Sequence, residues 1–493
     1  MVIIRHNSFS FPKSLVLAGG FSVLLILMAS FFPDNFRTVL ASLTQRLLDL
    51  FGYYYLVLGF GAVLLLVLLA LSGLGNIRLG SCKPEYGWLS WIAMLYSTGM
   101  GAGLLLRAVQ EPVYFFSHPP KATGLEPGVF ALQYTFFHWG FTPWALYGLF
   151  GLLISYNMYV KHRGVRTSDA LGPLQHKTWV AAIVDALTLI CTLLGVVAAV
   201  GLGSAQLLEG IALSIVIPQE AVYFLVFIIC FLATGSAMLG VGRGIRKLSN
   251  LNILMATILL FSALIAGFGG RWFYNFLESI VFYVRDFFSM SLNVGAEQVT
   301  QSFLTDWTYF YWAFWLSWAP FTGVFIARIS KGRTIRTFII GTLLVPALGT
   351  FLWFSVFGSA AFGMLESGLV DSEAFDSIYS ALFNFLNVLP FSGFLKTLAT
   401  VLVFTFLLTS VDSAIYVLSM FSDGGSSSPG LKYRVSWGVA ILLFTSTVIY
   451  VGADQLLQAV SQLLIVCAFP FSFLFVGLTV YFLVQLFQKH NSS

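Results

Sequence analysis

Charged side chains are scarce in this chain: Asp, Glu, Lys and Arg make up 9% of its 493 residues, while 58% are hydrophobic. A soluble domain carries about 25% charged residues, so an ordinary water-exposed globule is excluded. Cysteine is nearly absent as well. Cys82, Cys191, Cys230 and Cys467 show no paired metal-ligand spacing and sit mostly in apolar context, which reads as four structural thiols. No nucleophile-and-base arrangement and no cluster of metal ligands stands out, so neither an enzyme nor a cofactor is expected.

What the chain has instead is long apolar runs. Windows of about 20 apolar residues, enough to cross a bilayer core, fall near 13–32, 52–73, 87–107, 128–157, 181–212, 221–237, 251–269, 304–329, 337–358, 396–419, 434–452 and 460–486. The first run is already long enough to span, so no separate cleavable signal is expected. The segment 272–287, WFYNFLESIVFYVRDF, mixes aromatic and charged residues and reads as an amphipathic helix at the interface. Counted from an inside N-terminus, the even-numbered connections hold most of the bases, including Lys161, Arg163, Arg166, Lys247, Arg328, Lys331, Arg333 and Arg336. Few bases fall on the other side, so both termini are expected in the cytoplasm. The net charge of +5 is then a topology signal, and no nucleic-acid partner need be invoked. The outside stretch 360–395 carries Glu366, Asp371, Glu373 and Asp376, as a solvated loop or as a field favouring cations near an entrance.

Three segments interrupt the apolar pattern. In YSTGMGAGLLLRAVQEP, Gly99, Gly101 and Gly103 alternate and Pro112 closes the run, which favours an unwound backbone that a ligand can approach. Tight packing between helices is the competing use of such small residues. In TFLLTSVDSAIY, Thr405, Thr409, Ser410 and Ser413 surround Asp412 inside a span. Hydroxyls and freed carbonyls at that depth suit a hard cation such as sodium, although hydroxyls also bond back to their own helix. In FFHWGFTPWALY, Pro143 is expected to bend the span and gather Trp139, Trp144 and Tyr147. His138 reads as a packed, hydrogen-bonded histidine in preference to a proton relay.

The densest signal is DWTYFYWAFWLSWAPFTGVFIARISKGRTIRTF at 306–338, where Trp312, Trp315 and Trp318 recur at three-residue spacing and form a slowly drifting stripe on a helix. With Trp139, Trp144 and Tyr147, Trp315 completes a candidate cage whose ring faces attract a quaternary ammonium by cation–π forces, a group that cannot donate hydrogen bonds. Packing and interfacial belting are the alternative uses of these rings.

Together GMGAG at 99–103, HWGFTPWALY at 138–147, SAMLGVGRGIRKLSNLN at 236–252, the string at 306–336 and TSVDS at 409–413 resemble the betaine/choline/carnitine transporter family, over essentially the whole chain after the first dozen residues. The resemblance implies an all-α polytopic membrane protein of twelve transmembrane helices with LeuT-like 5+5 inverted repeats. Its parts are an N-terminal segment with two helices (1–86), a first repeat (87–270), an interfacial helix and connection (271–303), a second repeat (304–486) and a short cytoplasmic tail (487–493). A homotrimer in a bacterial-type cytoplasmic membrane is expected, in contact with lipid. Only a short tail follows the last span, so a family-like osmosensing C-terminal helix is expected to be missing.

By position, the family's aromatic box falls on Trp139, Trp144, Tyr147 and Trp315, with Trp318, Phe314, Met100, Gly101, Gly103 and Arg107 as further candidates to touch substrate. The family's sodium site falls on the carbonyls of Ser97, Met100 and Phe406 and the hydroxyls of Thr409 and Ser410. Sodium-independent exchangers of the family carry an arginine in the fifth span, and this chain has neither Arg nor Lys there, which favours sodium-coupled symport by alternating access. Choline carriers resembling the family often have an acidic residue where this chain has Gly103. A zwitterion with its own carboxylate, glycine betaine above all, is therefore favoured as a compatible solute for osmoprotection. The alternatives are a sodium-independent exchanger of carnitine- or betaine-like compounds, or a symporter for choline or dimethylsulfoniopropionate.

Two positions depart from the family pattern. Phe314 stands in place of tryptophan, and Arg107 in place of an aromatic residue. On a regular helix Arg107 would lie four residues from both Gly103 and Glu111, which predicts an Arg107–Glu111 ion pair or, alternatively, contact with a substrate carboxylate.

Overall fold

Inside a bilayer the backbone has no water to bond, so an apolar segment closes its hydrogen bonds within itself and forms a helix. The computed structural model describes residues 12–99, 101–122, 124–239, 242–266 and 270–491. Among these residues nine helical runs are long and apolar enough to cross a membrane, ten if the bent pair 88–97 and 102–117 counts as one span. They form no sheet, and one isolated bridge joins Arg78 to Thr334. The protein is an all-α polytopic membrane protein.

The helices are α1 (Lys13–Phe31), α2 (Pro33–Leu71), α3 (Trp88–Gly99), α4 (Ala102–Arg107), α5 (Gln110–Ser117), α6 (Pro127–Trp139), α7 (Phe141–Tyr159), α8 (Thr178–Ala212), α9 (Ala221–Leu239) and α10 (Gly242–Ile265). The second part of the chain holds α11 (Trp272–Leu292), α12 (Gln301–Phe303), α13 (Phe310–Ile329), α14 (Ile335–Glu366), α15 (Ala381–Val388), α16 (Ser392–Ser422), α17 (Leu431–Gly452) and α18 (Leu456–Asn491). Position in the bundle follows burial. The apolar window of α1 is 22% buried and leaves most of its surface to surroundings, whereas that of Gln301–Ile329 is 78% buried and forms the centre.

Each expected span falls on a helix or a helix pair, but several boundaries differ. The second span is expected to begin near residue 52, yet α2 runs 39 residues from Pro33. Pro33 at its first position and Asp34 in its first turn suit a helix start, and nothing between them and Gly52 breaks the helix. At 1.5 Å per residue it reaches about 58 Å, well beyond the roughly 30 Å hydrocarbon core.

The fourth span breaks at Gly140, not at Pro143. Gly140 has φ −96° and ψ −121°, outside the helical region, and separates α6 from α7. Pro143 sits in the first turn of α7, where its missing N–H has no partner to lose. The third span is interrupted twice. Gly101 is extended, with φ −156° and ψ 176°, and the axis turns by 61° across it. The helix is interrupted again between α4 and α5, with Pro112 in the first turn of α5 instead of at the end of the run. The tenth span, expected to free backbone carbonyls, is the unbroken helix α16. The segment read as an interfacial helix is α11, a 21-residue helix that packs Asn275, Ser279 and Tyr283 inward against α6 and leaves Phe273, Leu277 and Val284 exposed.

Candidate functional site

Central α13 packs on α7, α8 and α18, and α16 packs on α8, α9 and α10. Between these helices lies a cavity of about 650 Å³. One wall is aromatic, with Trp139, Trp144, Tyr147, Phe314, Trp315 and Trp318. Another carries Ser97, Gly101 and Gly103 of the broken third span, and a third carries Thr409, Ser410, Asp412 and Ser413 of α16. The cavity reaches Arg328, Tyr416 and the exposed Ser427 and Ser428 at one end.

The glycine break builds the aromatic wall. Trp139 is the last residue of α6, and Trp144 and Tyr147 lie in the opening turns of α7, so the turn at Gly140 lets all three line one cavity. Trp139 meets Trp315 edge to face at 5.0 Å between ring centroids, and Tyr147 meets Trp315 at 6.2 Å and 90°. Trp144 and Tyr147 stand at 5.4 Å and 89°. Trp315 Nε1 donates to the His138 carbonyl at 2.9 Å, and Trp318 Nε1 to the Gly195 carbonyl at 3.1 Å. With their indole N–H groups engaged in protein, Trp315 and Trp318 offer the cavity aromatic surface without a free donor, chemistry that suits a cation unable to donate hydrogen bonds.

The tryptophan stripe of α13 splits. Trp315 and Trp318 line the cavity, but Trp312 packs against Phe137 at 5.2 Å and against the face of α2 at Gly59. Successive three-residue steps rotate about 60° away from a full turn, and at Trp312 that drift carries the indole out of the site.

The polar wall is less regular than the ring wall. Thr409 Oγ1 donates to the carbonyls of Thr405 at 3.0 Å and Phe406 at 3.1 Å, the back-bonding that competes with ion binding. That donation uses the hydroxyl proton and leaves oxygen lone pairs for a cation, with Asn252 Nδ2 at 3.5 Å. Among the described residues Asn252 Oδ1 and Asp412 Oδ1 are buried acceptors without a hydrogen-bond partner. Among the described residues no three His, Cys, Asp or Glu side chains converge, and the oxygens on offer to a cation here are hydroxyls, carbonyls, the Asn252 amide and the single Asp412 carboxylate.

The sequence matches the betaine/carnitine/choline transporter family (BCCT) over residues 14–491. The chain belongs to this family. It is 36% identical over 452 residues to the glycine betaine transporter OpuD of Bacillus subtilis, covering 89% of this chain and 87% of the relative. It is 34% identical to an ectoine/hydroxyectoine transporter of Virgibacillus pantothenticus, covering 91% of each chain. It is also 32% identical to glycine betaine transporter 1 of Vibrio parahaemolyticus, covering 95% of this chain and 92% of the relative. As a BCCT member it is a multi-pass transport protein and not an enzyme.

Of the residues expected to serve this BCCT site, the cavity brings together Trp139, Trp144, Tyr147, Trp315, Trp318, Phe314, Gly101 and Gly103, with Ser97, Thr409 and Ser410 on its other walls. Met100 lies outside the described residues. Phe406 is buried behind the wall, its carbonyl taken up by Thr409. Arg107 does not line the cavity, and it makes no ion pair with Glu111. The interruption after α4 removes the regular i,i+4 relation on which that pair depends. The Arg107 guanidinium, 4% exposed, bonds Gln110 Oε1 at 2.5 Å and lies over the Trp307 ring at 4.9 Å. Glu111 instead bonds His138, Trp139 and Tyr311. His138 is, as expected, packed and hydrogen-bonded, with Nδ1 to Glu111 at 3.3 Å and Nε2 to Thr308 at 3.2 Å. Glu111 as a partner of the rings and Asn252 escaped the sequence reading, because each meets its partners across 27 to 200 residues.

Proposed function

We propose that this transporter is a sodium-coupled symporter that imports a betaine-type zwitterion, glycine betaine in the first place, by alternating access. The observation that carries the reading is one cavity walled on one side by Trp139, Trp144, Tyr147 and Trp315 and on another by Ser97, Thr409 and Ser410. The rings hold the trimethylammonium head by their faces and by dispersion. The substrate carboxylate meets backbone at Gly101, where an added Cβ would meet nothing within 4 Å among the described residues. Sodium rests between the broken third span and α16, on the Ser97 carbonyl and the Thr409 and Ser410 hydroxyls. α8 contains neither Arg nor Lys to replace that charge, which supports coupling over exchange. Similarity to glycine betaine transporters points the same way, and the ectoine relative adds a cyclic zwitterion to the compounds worth offering.

The architecture proposed with it has twelve spans. Leu431–Gln488 forms one 58-residue run, about 87 Å at 1.5 Å per residue, too long for one crossing. Its interruption at 453–455, with Ala453 at φ 42°, and the packing of α17 on α18 support two spans. α6 and α7 count as one. Helix contacts support the 5+5 inverted repeats of residues 87–270 and 304–486. Exchanging spans 3 to 7 for 8 to 12 turns the α7–α13 contact into α14–α3, α9–α16 into α17–α8, α10–α16 into α18–α8, and α8–α9 into α16–α17, and all of these occur. Residues 1–86 and 271–303 lie outside the repeats. The protein sits in a bacterial cytoplasmic membrane as a homotrimer with both termini inside, an orientation the Lys and Arg distribution supports. The cavity then opens to the cytoplasm at Arg328 and Ser427.

A zwitterion moving with sodium carries net charge, so the voltage adds about 2.3 kcal/mol per elementary charge at 100 mV. The test is uptake of labelled glycine betaine into proteoliposomes with and without an inward sodium gradient, at clamped voltage and with choline, carnitine, dimethylsulfoniopropionate and ectoine as competitors. Sodium-stimulated, voltage-sensitive uptake is expected. Uptake that needs only internal counter-substrate would establish exchange and remove sodium from Thr409 and Ser410.

A further inference from the structure

Behind the aromatic wall, and outside the cavity, lies a buried carboxylate with three donors. Glu111 of α5 is 0% exposed. Its Oε2 accepts from Trp139 Nε1 at 3.0 Å and from the Tyr311 hydroxyl, and its Oε1 from His138 Nδ1 at 3.3 Å. Thr308 fixes the other side of that imidazole at 3.2 Å from Nε2, which sets the tautomer with the proton on Nδ1 when the Thr308 hydroxyl donates. Three donors on two oxygens suit an ionised carboxylate, which has about four lone-pair sites.

The partners of this carboxylate lead into the cage. Trp139 is one of its rings. Tyr311 stacks on Trp315 at 5.6 Å and 15°, and meets Trp139 at 5.6 Å. Trp315 is tied by its own Nε1 to the carbonyl of His138. One side chain thus holds the edges of rings from two elements, α6 and α13, while itself belonging to the interrupted third span. Burying a carboxylate is costly unless every lone pair is answered, and a packed transporter core has cheaper ways to fill that volume. The placement is explained if the charge-assisted bonds, about twice as strong as neutral ones, hold ring faces that dispersion alone would leave free to tilt.

We propose that Glu111 is a positioning residue for the ammonium site: it locks Trp139 and, through Tyr311, Trp315 in the orientation that receives the substrate head, before substrate arrives. A site whose rings are already set loses less entropy on binding. This inference rests on the substrate reading above and adds to it a residue that touches no substrate. Glu111→Gln is the sharpest probe, because an amide turns an N–H toward at least one of the three donors while keeping the volume. Tyr311→Phe removes one arm and leaves Glu111 two.

The experiment is concentration-dependent uptake of labelled glycine betaine in proteoliposomes by wild type, Glu111→Gln, Tyr311→Phe and the double variant, with folded protein quantified by size-exclusion chromatography. Glu111→Gln is expected to raise KM about tenfold with Vmax within about twofold, and Tyr311→Phe to raise KM about threefold. The double variant is expected to be no worse than Glu111→Gln alone, because both act through one network. A merely structural role would lower Vmax and folded yield together and leave KM in place, and that result overturns the inference. Should Glu111→Gln not fold, Tyr311→Phe decides, and an unchanged KM there overturns it. Absence of saturable uptake of any trimethylammonium compound by the wild type overturns the substrate reading and this inference together. Normal wild-type uptake with an unchanged KM in the variants overturns this inference alone.

Discussion

One glycine break lines the cavity at Gly101 and another sits beside its Trp139 at Gly140, and they differ in what surrounds them. A Cβ added at Gly140 would come within 2.5 Å of the Phe136 carbonyl and 2.7 Å of the Phe351 ring. A Cβ at Gly101 would meet nothing within 4 Å among the described residues. Both interrupt a span, but the break at Gly140 is closed by packing and holds ring positions, while the break at Gly101 borders open space. A tight break sets geometry. An open break leaves backbone within reach of a ligand, which is the property an ion site needs.

Substitutions that fill or load each break test this contrast. Gly140→Ala has the largest expected effect, a loss of about 3 kcal/mol from overpacking, read as lower folded yield and earlier thermal unfolding in detergent. If Gly140→Ala is as stable as wild type, the two breaks do not differ in kind. Next, Thr409→Ala, opposite the open break, is expected to raise the sodium concentration for half-maximal uptake about tenfold, roughly 1.4 kcal/mol, with stability retained. An unchanged sodium dependence would leave the open break without an ion.

Gly103→Asp sharpens the comparison further. Its Cβ would lie 3.4 Å from Trp139 Cη2, an ordinary contact, so the fold is expected to accept it. A carboxylate beside the cage should raise the ratio of choline to glycine betaine uptake about fivefold, about 1 kcal/mol. Equal loss of both substrates would count against a role for charge at this position. The smallest effect is expected at Gly101→Ala: a stability change within about 1 kcal/mol and a KM for betaine about threefold higher, measured by the same uptake assay. A collapse in folded yield there would show that this break, too, is closed by packing.

How legible the molecule is from its residues varies by level. The third-span break is visible in Gly99, Gly101 and Gly103, because alternate glycines weaken a helix wherever they occur. The fourth-span break is legible only in part: Pro143 draws attention to it, but a proline in the first turn does no harm, and Gly140 carries the turn. The span lengths hide that α2 continues 19 residues before Gly52, because that stretch mixes Asp34, Arg37, Arg46 and Asp49 with its apolar residues and gives no continuous apolar run. Arg107 reads as a partner of Glu111 only while the helix between them is taken as regular.

The sequence by itself determined that the chain spans a membrane as helices, where the third span weakens, and which ring-bearing segments are available to a cationic head. These are properties of local composition, set by the cost of unpaired backbone in lipid and by the conformational freedom of glycine. The tertiary structure decided which rings share a cavity, sending Trp312 toward α2 and keeping Trp315 and Trp318 inside. It also decided that Glu111 answers Tyr311, 200 residues away, in place of its near neighbour Arg107. Helical periodicity assigns a residue to a face but not to a partner, and a buried polar group takes whichever donors the packed neighbours bring within hydrogen-bond reach.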